Sequence, residues 1–277
     1  MVSVYNSEDL IQELSNINDV NDDVIKFYKN FSFENIVKEN NNYINSSLIF
    51  KDSSPEESNN IKVIQLLNKV HNKNINKTIT SIKEIHFKTL DELQNLVNQC
   101  VQKIKRENEQ IKPLIGMLCS EILSVYYLDT NNNNNKIYFK PLILTNVKKD
   151  YFDSIDYCNN KWSKENCIKT MTVIGTLYNS GVVPNVILES ILNDFKKSIE
   201  FNETNDKNNY VNIEKSIQLL FNLSNTLAKN DEINEEYENM ESFINEQIKI
   251  YSANKKICKK SLLELYSCVD AFKKLKN

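Results

Sequence analysis

The sequence is poor in the two residues that most often interrupt regular structure. It contains three Gly and four Pro among 277 residues. So few breakers argue against a fold of many short strands, because strands need frequent turns. Apolar residues recur at three- and four-residue spacing instead of alternating, which is the period of a helix. We therefore predict an all-α fold.

Arginine and histidine are scarce as well. Arg106 is the only Arg, and the formal net charge is −3, which argues against a protein that mainly neutralises phosphates. His71 and His86 are too few and too isolated to suggest a zinc site or a proton relay. The sequence contains no Gly-rich phosphate loop and no pair of carboxylates in an apolar context. We expect a protein that is not an enzyme and that uses no metal or cofactor.

The cysteines and the apolar segments bound the cellular context. No two cysteines have the spacing of two to four residues that metal knuckles use, so we expect buried, reduced thiols. No apolar stretch approaches the roughly 20 residues of a membrane span, and no secretory signal opens the chain. We expect a soluble, cytoplasmic protein. The cysteines are residues 100, 119, 158, 167, 258 and 268.

Amphipathic runs cover most of the chain after residue 60. Short polar breaks separate them, and the break "DTNNNNNK" at 129–136 is expected to be a surface loop. Helices of this length joined by short loops favour a stack of helix pairs, a degenerate solenoid, over a four-helix bundle. The predicted helical runs are Ile61–Val70, Leu90–Ile104, Ile115–Tyr127, Phe139–Ile155, Ile168–Tyr178, Val186–Phe195, Ile213–Ala228, Met240–Ile250 and Leu262–Phe272.

The N-terminal region has a different composition. Residues 1–58 are rich in Asn, Ser and Asp and end in the linker-like segment "KDSSPEESNN". We predict a mostly disordered arm at 1–58 and a folded domain at 59–277.

One stretch carries the signature of an antiparallel helix pair. In "IKTMTVIGTLYNSGVVPNVILESILNDF" (168–195), Gly181 stands where a helix should stop and Pro184 where the next should start. Gly175 lies inside a strongly apolar helix, where it requires close approach of a neighbouring helix. The stretch also resembles the middle domain of eukaryotic translation initiation factor 4 gamma, whose members carry an "IGxLY/F" helix, a short turn and a helix ending in aliphatics.

Other segments resemble the same domain in the same order, over about residues 61–274. Where that family's last helix is usually Arg-rich, this chain has lysines, and the family's long acidic insertion is shortened to "DYCNNKWSKEN". The matching segments are "IKVIQLLNKVHNKNI" (61–75), "IGMLCSEIL" (115–123), "YFKPLILTNVKKDYFDSI" (138–155) and the closing segment from Tyr237 to Lys274.

The resemblance implies a HEAT-like solenoid of about five helix pairs that binds a DEAD-box RNA helicase of initiation factor 4A type. Leu67, Val70 and Ile75 match the apolar positions of the opening helix that contact the helicase in the family. Their spacing is equally what burial in the core of the first pair requires. Both interpretations stay open at this point.

The arm contains a pattern that this family uses to bind the cap-binding protein, initiation factor 4E. "YNSEDLI" (5–11) supplies Tyr5, Leu10 and Ile11 in the spacing Tyr-x4-Leu-Φ. Ser7 is a good helix N-cap, so Leu10 and Ile11 can line one face of a helix that enters a groove. A second match, "YINSSLI" (43–49), has the same spacing in a poorer helix former. The second candidate set is Tyr43, Leu48 and Ile49.

A basic segment near the end of the chain suggests weak contact with mRNA. "KKICKK" (255–260) supplies four lysines within six residues, which could contact phosphates or simply form a solvated helix end. The four are Lys255, Lys256, Lys259 and Lys260.

Together these features predict a translation-initiation scaffold, a minimal stand-alone form of the middle domain, that joins a cap-binding protein to a helicase. The alternative is a regulator of the same fold in another RNA process, such as a poly(A)-binding-protein-interacting, nuclear cap-binding, splicing or decay factor. Those relatives have no need of a Tyr-x4-Leu-Φ arm, so the arm favours the first hypothesis.

Overall fold

Capping interactions show how the sequence sets its helix boundaries. The Thr89 hydroxyl accepts a hydrogen bond from the Glu92 amide at 3.2 Å, and the Glu92 carboxylate accepts one from the Lys88 amide at 2.7 Å. The helix that follows has acidic residues in its first turn and basic residues in its last, as the helix dipole favours. Local sequence and helix start therefore agree.

The computed structural model describes residues 58–130, 135–155, 163–201 and 207–276. These residues belong to one compact unit, 57–277. Their helices are α1 Asn59–Asn68, α2 Ile75–Lys83, α3 Leu90–Arg106, α4 Lys112–Glu121, α5 Phe139–Ile155, α6 Lys164–Asn179, α7 Asn185–Ile199, α8 Lys207–Ser224, α9 Asn234–Asn254 and α10 Lys259–Lys276, with a 3-10 turn at Asp231–Ile233.

Consecutive helices pack against each other as five pairs, from α1 with α2 to α9 with α10. The even-numbered helices form one layer in which each packs on the next. In the other layer α1 packs on α3, α3 on α5, and α7 on α9, while the Tyr151 hydroxyl of α5 donates to the Asp194 carboxylate of α7 at 3.1 Å. This is an all-α helical-repeat fold, and the prediction of paired helices is confirmed.

The turn between α6 and α7 follows the predicted stop-and-start pattern. Gly181 has φ +74°, the left-handed conformation that glycine adopts without strain. Its amide donates to the Tyr178 carbonyl and the Val182 amide to the Leu177 carbonyl, both at 2.9 Å, which closes the helix end. Pro184 then stands immediately before the first residue of α7.

Gly175 marks the close approach that its position in an apolar helix predicted. A Cβ atom at Gly175 would lie 2.7 Å from Cγ2 of Thr226, just beyond the end of α8. Gly116 of α4 similarly faces the Ser180 side chain. Helix α6 is buried between α4, α5 and α8, so the absence of a Cβ at these two contacts lets the second layer pack closely.

A β-hairpin interrupts the helical repeat between α4 and α5, where the prediction was wrong. The expected helix Ile115–Tyr127 ends at Glu121, and strands β1 (Tyr126–Asp129) and β2 (Asn135–Tyr138) pair antiparallel. Tyr127 also forms a parallel bridge with Phe87. The reason is local: β-branched and aromatic residues flank the asparagine run on both sides and favour extended backbone.

The predicted arm, residues 1–58, lies outside the described residues apart from Ser58, so its boundary with the domain stays a prediction. Within the described part of the chain, no helix is long and apolar enough to cross a membrane.

Candidate interaction surfaces

The three residues predicted to contact a helicase lie in the core of the first helix pair. Leu67, Val70 and Ile75 are 2%, 7% and 5% exposed. Burial of this degree fits the alternative interpretation, that their spacing serves packing, and leaves little side-chain surface for a partner. A contact role for these three residues stays a prediction.

Helix α1 presents a different apolar pair to solvent. Ile61 and Ile64 are 41% and 39% exposed and stand three residues apart, on one face of the helix. We call these two residues the first-helix patch. The periodicity of the sequence did not distinguish them from Leu67, because all of them belong to one continuous apolar run.

Hydrogen bonds to α3 fix the orientation of α1 and therefore of this patch. The Asn59 amide group donates to the Glu92 carboxylate at 2.9 Å and to the His86 carbonyl at 2.8 Å. At the other end of the helix, the Lys103 ammonium donates to the Asn68 side chain at 3.1 Å. The patch is thus held in place before any partner binds.

The four lysines of the predicted RNA contact come together and are exposed. We call Lys255, Lys256, Lys259 and Lys260 the lysine cluster. Lys255 directly follows the last residue of α9 and has a left-handed conformation, φ +50°. Lys259 and Lys260 are the first two residues of α10. The Lys256 ammonium lies 5.6 Å from the centre of the Tyr210 ring, and Lys260 pairs with Glu264 at 3.6 Å.

The segment that carries these lysines is anchored at its centre. The Cys258 amide donates to the Glu214 carboxylate of α8 at 2.6 Å, and the Cys258 sulfur lies 3.2 Å from the Ser261 hydroxyl. These two contacts of Cys258 hold the lysine cluster beside the start of α10. The positive end of the helix dipole lies there and disfavours lysine side chains. An anion bound there would relieve that repulsion.

Helix α10 exposes an apolar pair next to the lysine cluster. Leu263 and Tyr266 are 66% and 49% exposed and again stand three residues apart. We call these two residues the last-helix patch. They are absent from the residues predicted from sequence, although a Leu and a Tyr outside the buried apolar face of a helix are a usable signal.

The cysteines show one correction. Four of the six cysteines are free and buried, as predicted, but Cys258 is exposed because it caps α10 at the surface, and Cys158 lies outside the described residues. The four are Cys100, Cys119, Cys167 and Cys268. Burial raises the pKa of the Cys268 thiol to about 12, and a hydrogen bond with Cys100 together with burial raises the pKa of Cys119. The thiols of Cys119 and Cys268 therefore stay protonated and unreactive at neutral pH.

One polar cleft of about 560 Å³ lies where α3, α5 and α6 meet. Arg106 and Lys169 line it, and Lys105 pairs with Asp150 across it at 2.5 Å. The described residues contain no group of three or more His, Cys, Asp or Glu side chains placed to hold a metal ion, and both histidines are exposed. The cleft therefore brings charged side chains of both signs together.

Both candidate cap-protein motifs lie outside the described residues, so each stays a prediction. Their residues are Tyr5, Leu10 and Ile11, and Tyr43, Leu48 and Ile49.

Comparison with protein-family models and with curated proteins finds no match for this chain. The similarity to the middle domain of initiation factor 4 gamma thus depends on the motifs and their order alone.

Proposed function

We propose that this chain is a translation-initiation scaffold that binds a DEAD-box RNA helicase of initiation factor 4A type and a cap-binding protein of initiation factor 4E type. The observation that supports it best is the presence of an exposed apolar pair at each end of one helical array, the first-helix patch on α1 and the last-helix patch on α10. A two-lobed partner is the kind of protein that two separated contacts on a repeat array fit.

The energetics of the two patches are adequate for such a contact. Covering the exposed part of Ile61, Ile64, Leu263 and Tyr266 would contribute roughly 1–2 kcal/mol per side chain at about 25 cal/mol per Å². Because α1 and α10 are already ordered, little of that gain is lost to ordering them. The lysine cluster adds attraction for an acidic partner surface or for mRNA phosphates.

The helicase assay tests this proposal directly. The full-length chain should raise the RNA-dependent ATPase rate of an initiation-factor-4A-like helicase. The variant Ile61→Asp with Ile64→Asp should lose this effect while its circular dichroism stays helical. Failure of the wild-type chain to stimulate any such helicase would contradict the scaffold.

Variants of the predicted arm test the proposed binding to a cap-binding protein and separate it from the alternative function. Alanine at Tyr5, Leu10 and Ile11 should weaken binding to a cap-binding protein at least tenfold, because each buried aliphatic contributes roughly 1.5–3 kcal/mol. Calorimetry with the wild type and with alanine at Tyr43, Leu48 and Ile49 gives the matched comparison. If neither variant changes binding, the middle-domain regulator of another RNA process becomes the better hypothesis.

A further inference from the structure

The β-hairpin has one face turned to solvent with an unusual composition. In the observed register Tyr126 pairs with Tyr138 and Leu128 with Lys136. Cross-strand partners and residues two apart point to the same side of a sheet, so these four side chains share one face. All four are exposed. We call them the hairpin platform.

The two aromatic rings and the ammonium group of the hairpin platform lie close together. The ring centres of Tyr126 and Tyr138 are 5.7 Å apart with an interplanar angle of 58°. The Lys136 ammonium lies 4.6 Å from the centre of the Tyr126 ring. The platform thus combines flat apolar surface with a positive charge, and its four side chains include no carboxylate.

The body of the protein holds the platform in place from behind. Tyr127 and Ile137, on the opposite face, are half-buried, and the Phe139 amide donates to the Val125 carbonyl at 2.8 Å at the base of the hairpin. Val125 and Phe139 are both buried. An isolated two-stranded hairpin is marginally stable, but this anchoring supplies the missing support.

We propose that the hairpin platform binds single-stranded nucleic acid. Paired aromatic rings beside a cation are the chemistry that such ligands require: bases stack on the rings, and ammonium groups meet the phosphates. Lys136 supplies the nearest cation, and Lys140, two residues beyond Tyr138, is exposed as well. Asp129 pairs with Asn135, and the side chains of this pair lie on the opposite face of the hairpin from the platform.

An extended peptide is the competing occupant, and the strand edges disfavour it. A peptide that adds to a sheet needs a free edge of several residues. The outer edge of β1 is bridged by Phe87, and β2 runs for four residues before α5 begins. The edge of β1 is thus partly occupied and that of β2 is short, whereas both tyrosine rings are exposed.

The test uses the full-length chain and fluorescently labelled oligouridylate and oligothymidylate in anisotropy titrations. Alanine at both Tyr126 and Tyr138 should weaken binding about tenfold, the loss expected for one base stack, whereas phenylalanine at both should stay within about twofold of wild type. Phe152→Ala, an exposed aromatic on α5, is the matched control and should bind as wild type. Circular dichroism of each variant separates lost binding from lost structure.

Photocrosslinking of wild type with 4-thiouridine-containing RNA locates the contact without any substitution. Crosslinks to peptides that contain Tyr126 or Tyr138 support the proposal. The proposal would be overturned if the crosslinks were confined to residues 255–260, or if the double-alanine variant bound the oligonucleotides as tightly as wild type. It would also be overturned if poly-glutamate displaced the oligonucleotide and no crosslink formed on the hairpin. None of these readouts depends on a helicase or on a cap-binding protein, so the scaffold proposal stands or falls separately.

Discussion

The first and last helices of the array expose similar apolar pairs in different electrostatic surroundings. Ile61 and Ile64 lie on α1, a helix with a single lysine, Lys62. Asparagine side chains at the two ends of α1 hydrogen-bond to α3. Leu263 and Tyr266 lie on α10, which begins in the lysine cluster. The two patches are similarly apolar but differ in the charge beside them, so contacts through them should respond differently to salt.

Salt screens exposed charges over about 8–10 Å at ordinary ionic strength but leaves apolar burial nearly unchanged. A contact through the first-helix patch should therefore persist in salt, whereas one through the last-helix patch and the lysine cluster should weaken.

The largest effect should come from charging the buried side of α1. Leu67→Asp places a carboxylate in the core and should lower the free energy of unfolding by roughly 4 kcal/mol or more. Ile64→Asp, one turn earlier on the exposed side, should lower it by only about 1 kcal/mol, because part of that side chain already lies in solvent. Urea denaturation measures both. Equal destabilisation by the two variants would mean that the exposed patch is part of the core.

The next effect concerns binding at the first helix. Ile61→Asp with Ile64→Asp should weaken the helicase complex by about a hundredfold, because two apolar contacts are lost and two carboxylates must be desolvated. Calorimetry at low and high salt should give the same loss. A defect that disappears at low salt would assign the contact to charge instead of burial.

A smaller effect, on stability, is expected from a change in the packing of α6 against the end of α8. Gly175→Ala puts a Cβ against Thr226, so we expect a net loss of about 1 kcal/mol, overpacking of 1–3 kcal/mol being partly offset by the helix propensity of alanine. Thermal melting monitored at 222 nm measures this loss. Asn193→Ala, an exposed position of α7, serves as the control and should not lower stability. A more stable Gly175→Ala variant would mean that α6 and α8 can separate without cost.

The smallest effect concerns the lysine cluster. Changing Lys255, Lys256, Lys259 and Lys260 to Gln should weaken helicase or RNA binding only a few-fold near physiological salt, since each exposed charge contributes well under about 1 kcal/mol. The dependence of affinity on salt should flatten in the same variant. An unchanged salt dependence would remove the cluster from the contact.

How much of this could be predicted from sequence differs from element to element. The pair α6 and α7 was predictable because Gly181 and Pro184 act locally, through backbone conformation. The exposed face of α1 was not, because Ile61, Ile64 and Leu67 all belong to one apolar run. Hydrogen bonds between α1 and α3, which join residues 33 and 35 apart in the sequence, decide which of them faces solvent.

The surfaces divide in the same way. The lysine cluster was predictable, since lysines beside a helix end are almost always exposed. The hairpin platform was not, because short apolar runs beside an asparagine tract suit a helix end or a strand equally well. Pairing of Tyr126 with Tyr138 across the turn resolves that ambiguity, and only the fold supplies it.

Lysine crosslinking with mass spectrometry tests whether the two ends of the helical array contact the two lobes of one helicase. The full-length chain is mixed with an initiation-factor-4A-like helicase, RNA and a non-hydrolysable nucleotide, then treated with an amine-reactive crosslinker. Lys62 and Lys69 report the first-helix end, and Lys259 and Lys260 report the last-helix end; all four are exposed. We expect crosslinks from the two ends to different lobes of the helicase. Crosslinks from both ends to one lobe, or from neither end, would contradict it.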